Sequence, residues 1–479
     1  MINKYITATI LAVVSSSLAE AQISRPVPRL VVNITIDQLR TDYIEAFMPS
    51  YGSNGFKKLF QNGVVYYNAQ YTFAPVDRAS SIASIATGTS PSHNGITGFK
   101  WLDKNSLIPV NCVDDNEYDG IFTKEKSSPK NIATTTITDE LKIATDGDGK
   151  VFSIAMDRDA AIIGGGHAAD GAIWFNKDNM CWCSSTYYYK KAPSWLESYN
   201  LLYVNSFTND NINANITNVA LQCIDSNGMG ADNVPDMLSL TYDAQVPIEK
   251  DVLNKQQLQY KYIQLDKELE KLTTKIENKL GKHNVLFIVT STGYCNEKEV
   301  DYAKYRIPSG TFYMDRTANL LNVYLGAIYG QDKYVENCFY NQIFFNIRQI
   351  ELKRINLSEL LSRAQTFIMQ LSGVSNVFTS KNLLLSSGDN GSRLRNWYNP
   401  NNCGDIIIEV SPGWKLLNEE NFQQYLSKES TMPFPLIFYG TGFVAKEITT
   451  PITIDRVAPT IAKSIRIRAP NACTAAPLY

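Results

Sequence analysis

The residues best suited to chemistry stand at the ends of apolar runs. Asp37 follows Leu30–Ile36, a β-branched run with no turn residue inside it. Such a run suits a strand buried on both faces, as in a parallel sheet. A carboxylate at the carboxyl end of a first parallel strand stands where open α/β sheets place their sites. It equally suits a loop carboxylate capping the next helix, and the stretch alone leaves both readings open. Further on, Ala79–Thr87 carries small residues at helical spacing, ended by Gly88 and Pro91. The start of that helix, near Asp77–Ser81, would offer free N–H groups to an anion. Asp157-Arg158 and Asp243 follow two further strand-like runs, Val151–Met156 and Met237–Tyr242.

The chain holds 3 His and 8 Cys. His93 and His167 lie in turns and His283 precedes a strand, so each reads first as a turn or core histidine. Among the cysteines, only Trp182 separates Cys181 from Cys183. That spacing suits two different partners better than one bridge, and no second Cys or His pair completes a zinc site. An even cysteine count in an exported chain allows up to four disulfides of unknown pairing.

The elements that must position these residues alternate. A short helix is expected over Gly52–Gly63, capped by Ser53 or Asn54, and a strand over Val64–Tyr71. Lys255–Leu280 is a long helix with Leu258, Tyr262, Leu265, Leu269, Leu272 and Ile276 on one stripe. Val285–Val289 is the next strand, running into Thr290–Gly293. Residues from about 295 to 400 turn rich in Tyr and Asn and read as an insertion or cap. Asp405–Val410 and Phe434–Tyr439 return to strand, and Ile454–Ser464 is a last helix. Strands alternating with helices indicate an α/β sandwich with a parallel-rich sheet.

Composition narrows the function. The net charge of −2 gives no sign of a nucleic-acid partner. Residues 1–21 read as a secretory signal, with Lys4, an apolar Tyr5–Val14 stretch and Ala19-Glu20-Ala21 as the cleavage site. No later run reaches the ~18 apolar residues of a membrane span. A periplasmic, outer-membrane-associated or secreted protein is therefore expected.

Several stretches, taken in order, resemble the alkaline phosphatase superfamily, and most closely the exported bacterial enzymes with a threonine nucleophile, of type I phosphodiesterase/nucleotide pyrophosphatase kind. They are the IDQLR stretch with Asp37, Thr87–Gly98, Met156–Phe175, Ser184–Trp195, Val234–Ala244, Leu265–Leu272, Cys403–Trp414, Pro435–Gly440 and Ile454–Ala462. The resemblance covers nearly all of residues 22–479. It implies a three-layer α/β sandwich with a central, mostly parallel sheet and a cap at about 295–400. It also implies metal-assisted phosphoryl transfer, with two zinc ions clamping the attacking and leaving oxygens.

Carried over one residue at a time, that chemistry is degenerate. Asp37 matches the first metal-binding aspartate, and Asp243 the aspartate of an Asp-x-x-x-His pair whose histidine position holds Pro247. The nucleophile position holds Arg78; Ser80 and Ser81 lie two and three residues on. Phe99 replaces the phosphate-binding asparagine, and Met156-Asp157-Arg158 keeps only the arginine of a Lys-x-Arg clamp. Ser291 and Thr292 replace an Asp-His pair, and the last histidine position falls near Gln424. Two of six expected protein metal ligands remain.

The resemblance and its gaps lead to a non-catalytic member with no cofactor, acting by binding a protein partner in the cell envelope. The Tyr- and Asn-rich stretches Ser184–Tyr203 and Phe312–Phe345 are its candidate surfaces. Arg78 and Arg158 are expected to supply the charge that Asp37 and Asp243 lost with the metals. One alternative is a working phosphatase or phosphodiesterase with a rearranged site, using Ser80 or Ser81 and a metal on the two aspartates, zinc if the family's two ions persist. Another is anion binding without catalysis at Arg78, Arg158 and Ser80.

Overall fold

The computed structural model describes residues 26–203, 212–245, 255–295, 302–386, 388–418, 424–425 and 432–479. The expected signal segment and Pro247 lie outside them. In chain order the framework is β1 (Leu30–Asp37), β2 (Val64–Gln70), α1 (Arg78–Thr87), β3 (Val151–Ala155), α2 (Arg158–Gly165), β4 (Gly171–Asn176) and β5 (Cys181–Ser185). It continues with β6 (Asp236–Asp243), α3 (Lys255–Leu280), β7 (Val285–Ser291), β8 (Phe434–Gly440) and α4 (Val457–Ile465).

These strands form one large sheet in the order β2-β8-β7-β1-β6-β3-β4-β5, with short strands added at both edges. β1 lies at its centre, parallel to β6 and β7. Every residue of β1 is buried, the polar Asn33, Thr35 and Asp37 along with its five apolar residues, as suits a central parallel strand. Leu30, Val32, Ile34 and Ile36 pack on one face against the stripe of α3, whose six predicted apolar residues are all buried. Burying each such side chain contributes about 2 kcal/mol relative to exposing it, enough to hold a long and otherwise polar helix on the sheet. On the opposite face lie α1, α2 and α4, making three layers.

Three expectations need correction. The early helix runs Phe56–Asn62 and is not capped by Ser53 or Asn54. Asp266 of α3 reaches across to accept the Gly52 and Phe56 N–H groups instead. The strand Ile406–Val410 does not return to the main sheet. It pairs with Val374–Thr379 and Gln342–Phe345 in a separate four-stranded sheet, over a core of its own with the helices Met314–Tyr329 and Leu357–Ile368. No disulfide forms among the eight cysteines, so the even count does not mark a covalent framework. Among the described residues no helix is long and apolar enough to cross a membrane.

Candidate functional site

The parallel register sets the site. Asp37 and Asp243 are direct partners at the carboxyl ends of β1 and β6, and Ser291 ends β7 opposite Ile36. This is the end at which parallel sheets carry their ligands.

Asp37 is buried. Gln38 adopts a left-handed turn (φ 59°) and donates its N–H to the Thr292 hydroxyl, at 3.0 Å. That hydroxyl in turn donates to Asp37 Oδ1 at 2.8 Å. Gly293 is also left-handed (φ 73°), and a Cβ there would strike the rings of Tyr71 and Phe434. The turn it permits brings Tyr294 round so that its hydroxyl donates to Asp37 Oδ2 at 3.2 Å. Burial pushes the Asp37 carboxyl up to about 7; Arg78 pulls it down, the Asp243 carboxylate pushes it up, and the two hydroxyls lower it.

Asp243 is partly exposed and has a different neighbour. Lys261 of α3 reaches its Oδ2 at 2.9 Å. Its other oxygen accepts the Gln245 N–H, and Asn213 clamps its backbone from both sides.

Arg78 opens α1, where a cation faces the positive end of the helix. Asp77 caps that end, taking the Ser80 N–H at 2.9 Å and the Phe99 N–H at 2.7 Å. The guanidinium turns toward α2, meeting Asp157 at 2.7 Å and Asp159 at 2.9 Å. Ser80 is fully buried, and its hydroxyl donates to Asp77. Ser81 is equally buried, between the Asp77 and Thr292 carbonyls. Neither hydroxyl faces an open site.

The expected exchange of metals for guanidinium groups is therefore corrected in its partners. Arg78 makes no ion pair with Asp37; its contacts are Asp157 and Asp159. Arg158 turns away altogether, to Asp114 at 2.7 Å and Glu125 at 3.8 Å, with Ser127 Oγ at 3.2 Å. Arg78, Arg158 and Ser80 do not converge on one anion. Met156 is buried and Phe99 is exposed beside Lys100. Ser291 Oγ donates to the Leu39 carbonyl and stabilises the turn after β1.

Sequence reasoning missed Tyr294, Lys261 and Asp159. A signal existed for Asp159: an arginine at a helix start demands carboxylates, and Asp157 and Asp159 bracket the next helix start. Lys261 carried none, because it stands beside the apolar stripe of α3 like any solvated lysine.

The fold family implies two zinc ions, and this donor set does not fit them. Asp37 and Asp243 bring hard oxygens, and among the described residues the side chains that touch them are hydroxyls and an ammonium. No histidine is near: His93 contacts Ser90 and Ser92, His167 pairs with Asp139 at 2.8 Å, and His283 lies exposed before β7, at the opposite end of the sheet. Among the described residues no three His, Cys, Asp or Glu side chains gather. A cavity of about 720 Å³ also lies at that opposite end, lined by Lys282, His283, Tyr439, Lys446 and Tyr479.

Comparison with known proteins gives the context. The family described as type I phosphodiesterase / nucleotide pyrophosphatase matches residues 31–431. The chain is 25% identical to alkaline phosphatase PafA of Elizabethkingia meningoseptica, over 95% of this chain and 94% of that one. It is also 25% identical to alkaline phosphatase PhoV of Synechococcus elongatus, over 93% and 91%. The crystal structure of wild-type PafA superposes with a TM-score of 0.82, covering 95% of this chain and 98% of that one. Murine ectonucleotide pyrophosphatase / phosphodiesterase 5 shares the fold at 13% identity, with a TM-score of 0.54 over 92% of this chain and 95% of that one.

Proposed function

The chain belongs to the type I phosphodiesterase / nucleotide pyrophosphatase family, and from that premise we propose that it is a member without hydrolytic activity, exported to the cell envelope, that works by binding a protein partner. One observation carries this reading: among the described residues, Arg78, Asp243 and Asp37 at the carboxyl ends of the central strands are each satisfied by other side chains of the same protein. Arg78 is neutralised by Asp157 and Asp159, and Asp243 by Lys261. Asp37 is held by two hydroxyls. A phosphoryl-transfer site needs the reverse, uncompensated charge aimed at the substrate. It also needs a free nucleophile, and Ser80 and Ser81 spend their hydroxyls on backbone and cap.

Both candidate stretches hold apolar side chains in water: Leu201, Leu202 and Tyr203 close the one after β5, and the excursion between β7 and β8 carries others. In the first, Tyr187 and Tyr188 are half-buried, donate to the His167 and Gly166 carbonyls and pack against each other. In the second, the helix Met314–Tyr329 presents Leu320, Val323 and Ile328 to solvent.

The test is elemental analysis of the purified chain after zinc loading and removal of excess, with phosphomonoester and phosphodiester assays on the same sample in zinc and in magnesium. The expected result is zinc far below one ion per chain and no turnover above the protein-free blank. About two zinc ions per chain with phosphomonoester turnover would overturn the proposal. Magnesium-dependent turnover abolished by Asp37→Ala would overturn it too.

A further inference from the structure

The Cys181–Cys183 pair is absorbed neither by the fold nor by the reading above. It lies on β5, far along the sheet from Asp37. Side chains two apart on a strand share a face. Trp182 turns one way and packs edge-on to Phe175, with centroids 5.4 Å apart. The two cysteines turn the other way, and their sulfurs stand 3.9 Å apart.

Oxygen atoms complete the surroundings. Phe122 adopts a left-handed backbone (φ 61°), unusual for a bulky side chain. Its carbonyl oxygen lies 3.0 Å from Cys183 Sγ and 3.7 Å from Cys181 Sγ. Asn179 Oδ1 lies 3.1 Å from Cys181 Sγ. Two sulfurs and two oxygens thus face one another beside the β4–β5 turn. Cys183 is buried and Cys181 is partly open to solvent.

Two chemistries compete for such a pair. A disulfide needs sulfurs at about 2.05 Å and Cβ atoms about 3.5–4.5 Å apart, whereas the same-face side chains of residues i and i+2 leave an extended strand about 6.7 Å apart. Bridging would buckle the part of the strand that pairs with β4 through Cys181, Trp182 and Cys183 themselves. A shared metal ion asks for much less. Two thiolates each about 2.3 Å from one ion stand roughly 3.8 Å apart at a tetrahedral angle and roughly 4.0 Å apart at the trigonal angle of a three-donor site. The sulfurs are already in that range.

We propose that Cys181 and Cys183 form a two-thiolate site for a soft monovalent cation of the Cu(I) type, with the Phe122 carbonyl as a weak additional donor. Thiolates without imidazole select soft ions, and two sulfurs are too few for the closed four-ligand shell of structural zinc. Binding releases both thiol protons to solvent, one from each sulfur. The site is independent of the Asp37 region and stands whether or not that region hydrolyses phosphate.

The test offers Cu(I), held by a chromophoric chelator, to the reduced full-length chain without oxygen. One Cu(I) per chain is expected to leave the chelator, with a new near-ultraviolet thiolate–copper band. Cys181→Ser and Cys183→Ser should each lower Cu(I) affinity by about tenfold or more, while Cys473→Ser leaves it unchanged. Circular dichroism of the variants separates lost binding from lost folding. No transfer to the wild-type chain would overturn the proposal. So would equal affinity in a folded Cys181→Ser/Cys183→Ser double variant, or displacement of Cu(I) by equimolar Zn²⁺.

Discussion

Asp37 and Asp243 are direct partners on adjacent strands, yet they are neutralised in opposite ways. Asp37 lies inside the molecule, where no cation touches it; two hydroxyls hold it, and burial drives it toward the protonated form. Asp243 lies at the rim, where Lys261 from another layer reaches it and solvent shares the charge. The difference shows how a cluster of like charges can persist without counter-ions between its members. The interior carboxylate takes up a proton, and the rim carboxylate takes up an ammonium. A cation reaching Asp37 directly would pay full desolvation for both ions, a penalty that is often larger than the Coulombic gain.

The sharpest way to break this comparison is Asp37→Asn, which keeps the shape and removes the charge. The Asp37 carboxyl is raised from 3.8 to about 7 on folding. Between those values the folded chain holds a proton that the unfolded chain has lost. Stability therefore falls as pH rises through that window, by about 4 kcal/mol in all. Asp37→Asn should remove this slope, so that its denaturant midpoint exceeds the wild type's at about pH 8 and matches it near pH 4. Parallel wild-type and variant stability curves across that range would mean that Asp37 stays charged, and the contrast with Asp243 would fail.

A second intervention tests whether Arg78 belongs to the same logic. Its partner Asp159 is buried and Asp157 lies at the rim. Arg78→Ala would leave the Asp159 charge buried without a cation in contact, and should cost about 3 kcal/mol in chemical denaturation. Arg78→Thr supplies the hydroxyl that the family resemblance places there, and should still give no phosphomonoester turnover, because the surrounding charges remain paired with one another. A rise in turnover with Arg78→Thr would show that only the nucleophile had been lost.

How much of this was legible without coordinates depends on the range of the interaction. The strand Leu30–Asp37 and the stripe of α3 were readable because burial on both faces and on one face leave periodic marks along the chain. Asp37 was readable because it ends such a strand. The partners were not. Lys261 lies 18 residues beyond Asp243 in another layer, and Tyr294 reaches Asp37 across a separation of 257 residues, through a turn that only Gly293 allows. Arg78 is expected to answer Asp37 and Asp243 and instead pairs with Asp157 and Asp159, since residue types alone do not say which way a guanidinium turns. The strand Ile406–Val410 was readable as a strand while its sheet was not, because pairing partners leave no mark on the strand itself.

The smallest expected effect lies at the rim. Lys261→Met keeps the aliphatic stem that packs along α3 and removes only the ammonium. With both partners partly open to water, the ion pair contributes about 1 kcal/mol or less. That contribution should shrink in high salt, because exposed charges are screened over about a Debye length. Urea denaturation at low and at roughly 1 M salt should show wild type and Lys261→Met converging as salt rises. A loss of several kcal/mol, insensitive to salt, would place Lys261 and Asp243 in the same dry environment as Asp37. The two aspartates would then be a single buried cluster sharing one cation, and the lysine would be a true replacement for the metal rather than a screen at its edge.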